Sequence, residues 1–209
     1  VDQGIADPKA VFLTGGSYGG YLTLQTIGRR PELWAGGMAV VAIADWKLMY
    51  EDQAETLRGY QRGLFGGTPQ ETPEATASAS PITYAHNCKT PTLLIQGEAD
   101  YRCPAEQAEQ FYAVLKANGC TVEMLRLPHM PHMGSMAGSL AARRAQNEAL
   151  LDWMDRYVLG ALRRAEADLD RLEQHMVELS PADAGVIAEF CNTARLLTHF
   201  EMPLEKPME

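Results

Sequence analysis

The stretch FLTGGSYGGYLT, residues 12–23, sets a single serine between two glycine pairs, after an apolar run and ahead of a helical one. A phosphate-cradling loop needs GxxxxGK[ST] and a dinucleotide-binding turn needs GxGxxG. This string has no lysine and carries Ser17 where the middle glycine of the second pattern belongs. GxSxG fits instead, with Gly15, Ser17 and Gly19 in register. A serine at a sharp strand-to-helix turn is held in a strained conformation that exposes its hydroxyl, and the flanking positions must be nearly free of side chain for the turn to close.

A serine hydroxyl is protonated near neutrality, so a nucleophilic Ser17 needs a base, and the base needs a carboxylate to orient it. Asp100 stands in QGEADYRCP and His132 in LPHMPHMGS, each just past an apolar, strand-like run. The order serine, aspartate, histidine, with each residue at the C-terminal end of a strand, is that of the α/β-hydrolase fold. Glu98 is a rival acid that lies closer to its strand, and Asp45 follows a strand one step too early for the usual order. His129 lies three residues from His132, and spacing alone leaves both open as the base. His86, His175 and His199 fall in loop or helix contexts and read as structural.

The elements that must position these groups alternate between strand and helix. AVFLT (10–14), MAVVAI (38–43) and TLLIQ (92–96) are short continuous apolar runs, as expected of strands buried on both faces of a parallel sheet. TVEMLRL (121–127) alternates more and belongs nearer an edge. YLTLQTIGRRPE is helical until Gly28 and Pro31 close it; PAEQAEQFYAVLKANG is a second helix, with Pro104 at its first turn and Gly119 at its C-terminal cap. Residues 59–81, rich in Gly, Pro, Ser and Thr, read as a long surface excursion, either a lid or binding loop or a plain insertion. From about Ser139 the chain turns helical again, with Leu150, Leu151, Met154 and Val158 at core spacing. The organisation expected is a domain over residues 1–160, a mostly parallel sheet flanked by helices, with a helical hairpin appended over 161–209, its second helix starting at Ser180 and Pro181.

Composition narrows the setting. The chain has 209 residues, 46% hydrophobic and 22% charged, with 18 basic against 27 acidic residues and a net charge of −9. With no long basic run, nucleic acid and anionic membranes are not expected partners. The four cysteines, Cys88, Cys103, Cys120 and Cys191, lack CxxC spacing, so neither zinc nor any other metal is expected, and reduced thiols in a cytoplasmic protein are the simplest account.

Taken together, TGGSYGGYLT, DWKLMYED, SPITYAHNCKTPTLLIQGEADYRCPAEQAEQFYAVLK and RRAQNEALLDW resemble the catalytic domain of the prolyl oligopeptidase family, of the acylaminoacyl-peptidase and dipeptidyl-peptidase-like type. The resemblance covers about residues 5–158. It implies a serine peptidase acting on short peptides, with Ser17 as nucleophile, Asp100 as acid and His132, in HMGS, as base rather than His129. It implies the backbone N–H of Tyr18 as an oxyanion donor, Arg102 as the residue that binds a substrate carbonyl, and Trp46, near Tyr50, in the specificity pocket. It implies no cofactor. Members of the family carry a β-propeller and the first half of the hydrolase domain ahead of the nucleophile strand, including an HGGP-like loop with the second oxyanion donor; here 16 residues precede Ser17 and no such motif occurs. The expectation is a C-terminal piece of a peptidase that pairs with a chain or segment supplying the missing strands, or self-associates. An esterase of the same fold and a non-catalytic fragment that needs a partner chain are the rival readings.

Overall fold

The computed structural model describes residue 5 and residues 7–160. Four strands, β1 (Phe12–Gly16), β2 (Gly36–Val40), β3 (Thr92–Gly97) and β4 (Val122–Leu127), form one sheet in the order β1-β2-β3-β4. All three pairings are parallel, with Gly16 beside Val40, Val40 beside Ile95, and Ile95 beside Leu125. The helices are α1 (Tyr18–Arg29), α2 (Trp46–Asp52), α3 (Glu55–Phe65), α4 (Pro73–Ala79), α5 (Ala105–Ala117), α6 (Gly134–Ala137) and α7 (Leu140–Met154). A turn of π-helix, Asp155–Leu159, continues α7.

The period of two along a strand sorts the sheet's residues onto two faces, and both faces are apolar here. Ala39, Leu94 and Val122 face one way, against Leu24 and Ile27 of α1 and Phe111 and Leu115 of α5. Met38, Val40, Leu93 and Ile95 face the other way, against Trp153 of α7. The central strands β2 and β3 are buried along their whole length, whereas β1 and β4, at the two edges, are partly exposed. β4 thus lies at an edge, as its alternation indicates. β1 forms the other edge of the described sheet, as expected of a nucleophile strand that awaits pairing, but it runs over 12–16 rather than 10–14.

β2 also ends earlier than its apolar run. Val41 has φ 45°, an unusual conformation for a β-branched residue. The strand closes at Val40, although the Val41 N–H still donates to Ile95 O at 2.8 Å. Residues 42–44 stay buried but no longer belong to the ladder.

The largest correction concerns residues 59–81, which form helices and turns rather than an irregular excursion. The residues read as loop punctuation serve as helix boundaries: Gly66, at φ 79°, closes α3, and Pro73 opens α4. Gln61, Thr76 and Ser80 are buried, so part of the segment belongs to the interior. In α7 the buried face runs through Ala142, Ala145, Ala149, Leu150 and Trp153. Leu151, expected in the core, falls off that stripe and is 66% exposed. Val158 is buried as expected. The helical hairpin expected over 161–209, with Cys191, His175 and His199, lies outside the described residues. No helix among the described residues is long and apolar enough to cross a membrane.

Candidate active site

Ser17 occupies the corner between β1 and α1 with φ 56° and ψ −117°. Such a backbone is strained for any residue with a Cβ and persists only where the surroundings enforce it. They do so from both sides. The Ser17 N–H donates to Val40 O at 2.8 Å, and the Tyr21 N–H donates to Ser17 O at 2.9 Å. Gly15 and Gly20 make the corner sterically feasible. A Cβ on Gly15 would lie 2.4 Å from the carbonyl oxygen of Gly19, and one on Gly20 would lie 2.8 Å from the Ala42 Cβ. Gly19 itself has open space where a Cβ would go, so of the two glycines flanking the serine only Gly15 is needed for closure.

Asp100 follows β3 and is 4% exposed. Its Oδ1 accepts the backbone N–H groups of Arg102 and Cys103 at 2.9 and 2.8 Å, which fixes the carboxylate and leaves Oδ2 free for a third partner. That partner is His132 Nδ1, at 2.8 Å. Because a carboxylate can only accept, Nδ1 carries the proton and Nε2 is the acceptor. The Ser17 hydroxyl lies 2.8 Å from Nε2. Three groups up to 115 residues apart therefore form one continuous hydrogen-bonded line at the C-terminal ends of β1, β3 and β4.

The loops carrying the acid and the imidazole are joined directly. The Glu98 N–H donates to Leu127 O at 3.1 Å and the Ala99 N–H to Met130 O at 3.2 Å. Gly97 lies against the Met130 carbonyl so closely that a Cβ there would sit 2.2 Å from it.

The rival residues have other partners. Glu98 is exposed and pairs with Arg126 at 3.0 Å. Asp45 caps α2, its Oδ1 accepting the Lys47 N–H at 2.8 Å. His129 is exposed, at φ 59°, and His86 is exposed. Tyr18 is the first residue of α1, where a backbone N–H has no acceptor within the helix, and it directly follows the serine.

Beside Ser17 and Tyr18 opens a cavity of about 120 Å³ whose walls include Ile43, Trp46, Met49, Gln53 and Tyr60. Trp46 is 3% exposed and sits in an aromatic cluster, with ring centroids 5.3 Å from Tyr21 and 5.5 Å from Phe65. Arg102, an exposed residue, also lines the cavity. Tyr50 does not; its hydroxyl accepts from Arg62 at 3.1 Å. Cys103 is a further wall residue, and burial, followed by the nearby Asp100 charge, pushes its thiol up to about 12.

Sequence reading missed Gln53, Gln61 and Cys103 at this site. One signal was available: Trp46, Met49 and Gln53 recur at three- and four-residue spacing, the mark of one helical face. The contribution of Tyr60 and Gln61 depends on how α3 packs back toward the serine, and no local pattern announces that.

Comparison with known proteins places the chain in a wider context. The model of the prolyl oligopeptidase family matches residues 1–160. An uncharacterized peptidase of Bacillus subtilis, YuxL, is 31% identical over 152 residues, 73% of this chain and 23% of its own length. The acylamino-acid-releasing enzyme of Rattus norvegicus is 33% identical over 138 residues, 60% of this chain and 18% of its own. Among solved structures, Pyrococcus horikoshii acylaminoacyl peptidase superimposes with a TM-score of 0.69 at 31% identity, covering 73% of this chain and 25% of that one. A Mycobacterium tuberculosis puromycin-hydrolyzing peptidase gives 0.69 at 27% identity. The chain thus spans about a quarter or less of the length of these relatives. Its parallel sheet flanked by helices is the α/β-hydrolase fold read from the sequence. Fold, strand order and matched length agree: the chain belongs to the prolyl oligopeptidase family.

Proposed function

We propose that this chain carries the reacting groups of a serine peptidase that cleaves short peptides through an acyl-enzyme. The observation that carries the reading is the line Ser17 Oγ, His132 Nε2, His132 Nδ1, Asp100 Oδ2, with both contacts at 2.8 Å and the serine on a backbone of positive φ.

Ser17 Oγ attacks the scissile carbonyl while Nε2 of His132 takes its proton. Asp100 keeps the proton on Nδ1 and stabilises the imidazolium that forms. The tetrahedral oxyanion accepts from the backbone N–H of Tyr18. The imidazolium then protonates the leaving amine, and the same pair activates water to release the acid. The substrate side chain adjoining the scissile carbonyl enters the apolar cavity against Trp46 and Met49, and the Arg102 guanidinium at its wall binds a substrate backbone carbonyl.

No metal or organic cofactor takes part. β1 forms an edge of the described sheet and offers the apolar Phe12 and Leu13, so the proposal includes a further strand, from another segment or chain, that pairs there and brings the second oxyanion donor. The free thiols Cys88, Cys103 and Cys120 suit a cytoplasmic setting.

The test is a fluorophosphonate probe on the full-length protein, with the modified residue mapped by mass spectrometry, followed by hydrolysis of an anilide and an ester of one acyl group. Labelling at Ser17 with turnover of both is expected. Turnover of the ester alone would make the protein an esterase, and absence of labelling would defeat the nucleophile assignment.

A further inference from the structure

The Asp100 carboxylate is held by two backbone N–H groups, those of Arg102 and Cys103, so its aim is set by whatever fixes that turn. Two buried side-chain amides do. Gln53, just past the end of α2, donates from Nε2 to the carbonyl oxygen of Arg102. Gln96, near the end of β3, donates from Nε2 to the carbonyl oxygen of Cys103 at 3.0 Å and to that of Gly97 at 3.1 Å. The amide orientations follow from their partners, since backbone carbonyls only accept and the NH₂ group must face them. Gln53 is 6% exposed and Gln96 1%, and each carries a buried Oε1 that meets no hydrogen-bond donor among the described residues, so the contacts of each amide within them are made from its NH₂ end. The Arg102–Cys103 turn is therefore gripped on both sides, its N–H groups on the acid and its carbonyls on the two glutamines.

We propose that Gln53 and Gln96 are positioning residues that aim Asp100, and that Gln53, also a wall of the cavity, joins the acid turn to the substrate pocket. This rests on the serine peptidase reading. Losing either amide frees the turn to move, and a displacement on the order of 1 Å in a reacting constellation costs about 100-fold in rate.

The test uses Gln53→Leu and Gln96→Leu in the full-length protein, with fluorophosphonate labelling rates and with kcat and KM for acyl-glycine and acyl-phenylalanine anilides. Glycine leaves the cavity empty and phenylalanine fills it. Each variant is expected to lose about 10- to 100-fold in kcat on both substrates and in labelling rate, with KM for the glycine substrate nearly unchanged. A Gln53→Leu loss confined to the phenylalanine substrate would make Gln53 a cavity wall only, and unchanged kcat in both variants would overturn the proposal.

Should the leucine variants unfold, Gln53→Met keeps the unbranched side-chain length and removes the N–H donor to Arg102 O. Its kcat should fall by about 10-fold on both substrates with KM for the glycine substrate nearly unchanged, and an unchanged kcat would overturn the proposal. Wild-type protein that fails to label at Ser17 sinks the peptidase reading itself, and this proposal with it, before any glutamine variant is measured.

Discussion

The strand-end line of Ser17, His132 and Asp100 and the cavity beside it are built on different principles. The line is held by polar contacts of fixed geometry, at 2.8 Å along its length, with the carboxylate clasped by backbone N–H groups and the serine corner pinned to β2. The cavity is held by packing: Tyr21, Trp46 and Phe65 stack edge to face, and α3 is tied back when Gln61 Nε2 donates to Trp46 O at 2.6 Å. Aromatic contacts of this kind add about 0.5–1.5 kcal/mol each beyond their buried area and tolerate small shifts; a hydrogen-bonded reacting line does not. On the proposed reading, reaction class is written at three strand ends and substrate preference in the helical segment from 46 to 65, with Gln53 the wall residue that reaches the acid turn.

Substitutions can press on that separation. The largest effect is expected at Asp100→Asn, where the amide allows the wrong imidazole tautomer: kcat should fall by about 10⁴-fold, equally for substrates with small and large side chains. A loss that depended on side-chain size would join the two regions and break the distinction.

A smaller and selective effect is expected for Trp46→Ala. Its kcat/KM for a phenylalanine substrate should drop by roughly 10- to 100-fold, while that for a glycine substrate changes little, because only the former uses the apolar wall. Equal losses on both would mean that Trp46 supports the serine corner rather than the pocket.

The smallest effect is expected at Cys103. Its thiol is pushed up to about 12 by burial, and by the Asp100 charge after that, so the reactive thiolate is scarce until the pH nears that value. Alkylation by iodoacetamide should therefore leave activity intact at about pH 8, where an ordinary thiol reacts readily, and become faster only as the medium turns strongly alkaline. Rapid inactivation at about pH 8, traced to Cys103, would place that wall within reach of solvent and sharpen the map of the cavity.

Much of the reacting line was legible because each piece has a local signature. GGSYGG announces a strained corner, and the apolar runs ahead of Asp100 and His132 place both at strand ends. Spacing could not separate His129 from His132, and the resemblance to a known family made that choice. In the folded chain, joining the Gly97–Asp100 turn to the loop from Leu127 brings one imidazole onto the carboxylate and leaves the other exposed. The helical character of 59–81 was hidden because Gly66 and Pro73, which cap helices here, are the same residues that punctuate loops.

The sequence by itself determined the parallel sheet, the serine corner and the chemistry open to Ser17, since strand periodicity and the steric demands of glycine are properties of a few neighbouring residues. Tertiary structure alone decided that Gln53 and Gln96 grip the acid turn and that residues 59–81 form helices with buried Gln61 and Thr76. Those outcomes depend on contacts across as many as 49 residues between the glutamines and the acid turn, and no local rule carries information over that separation.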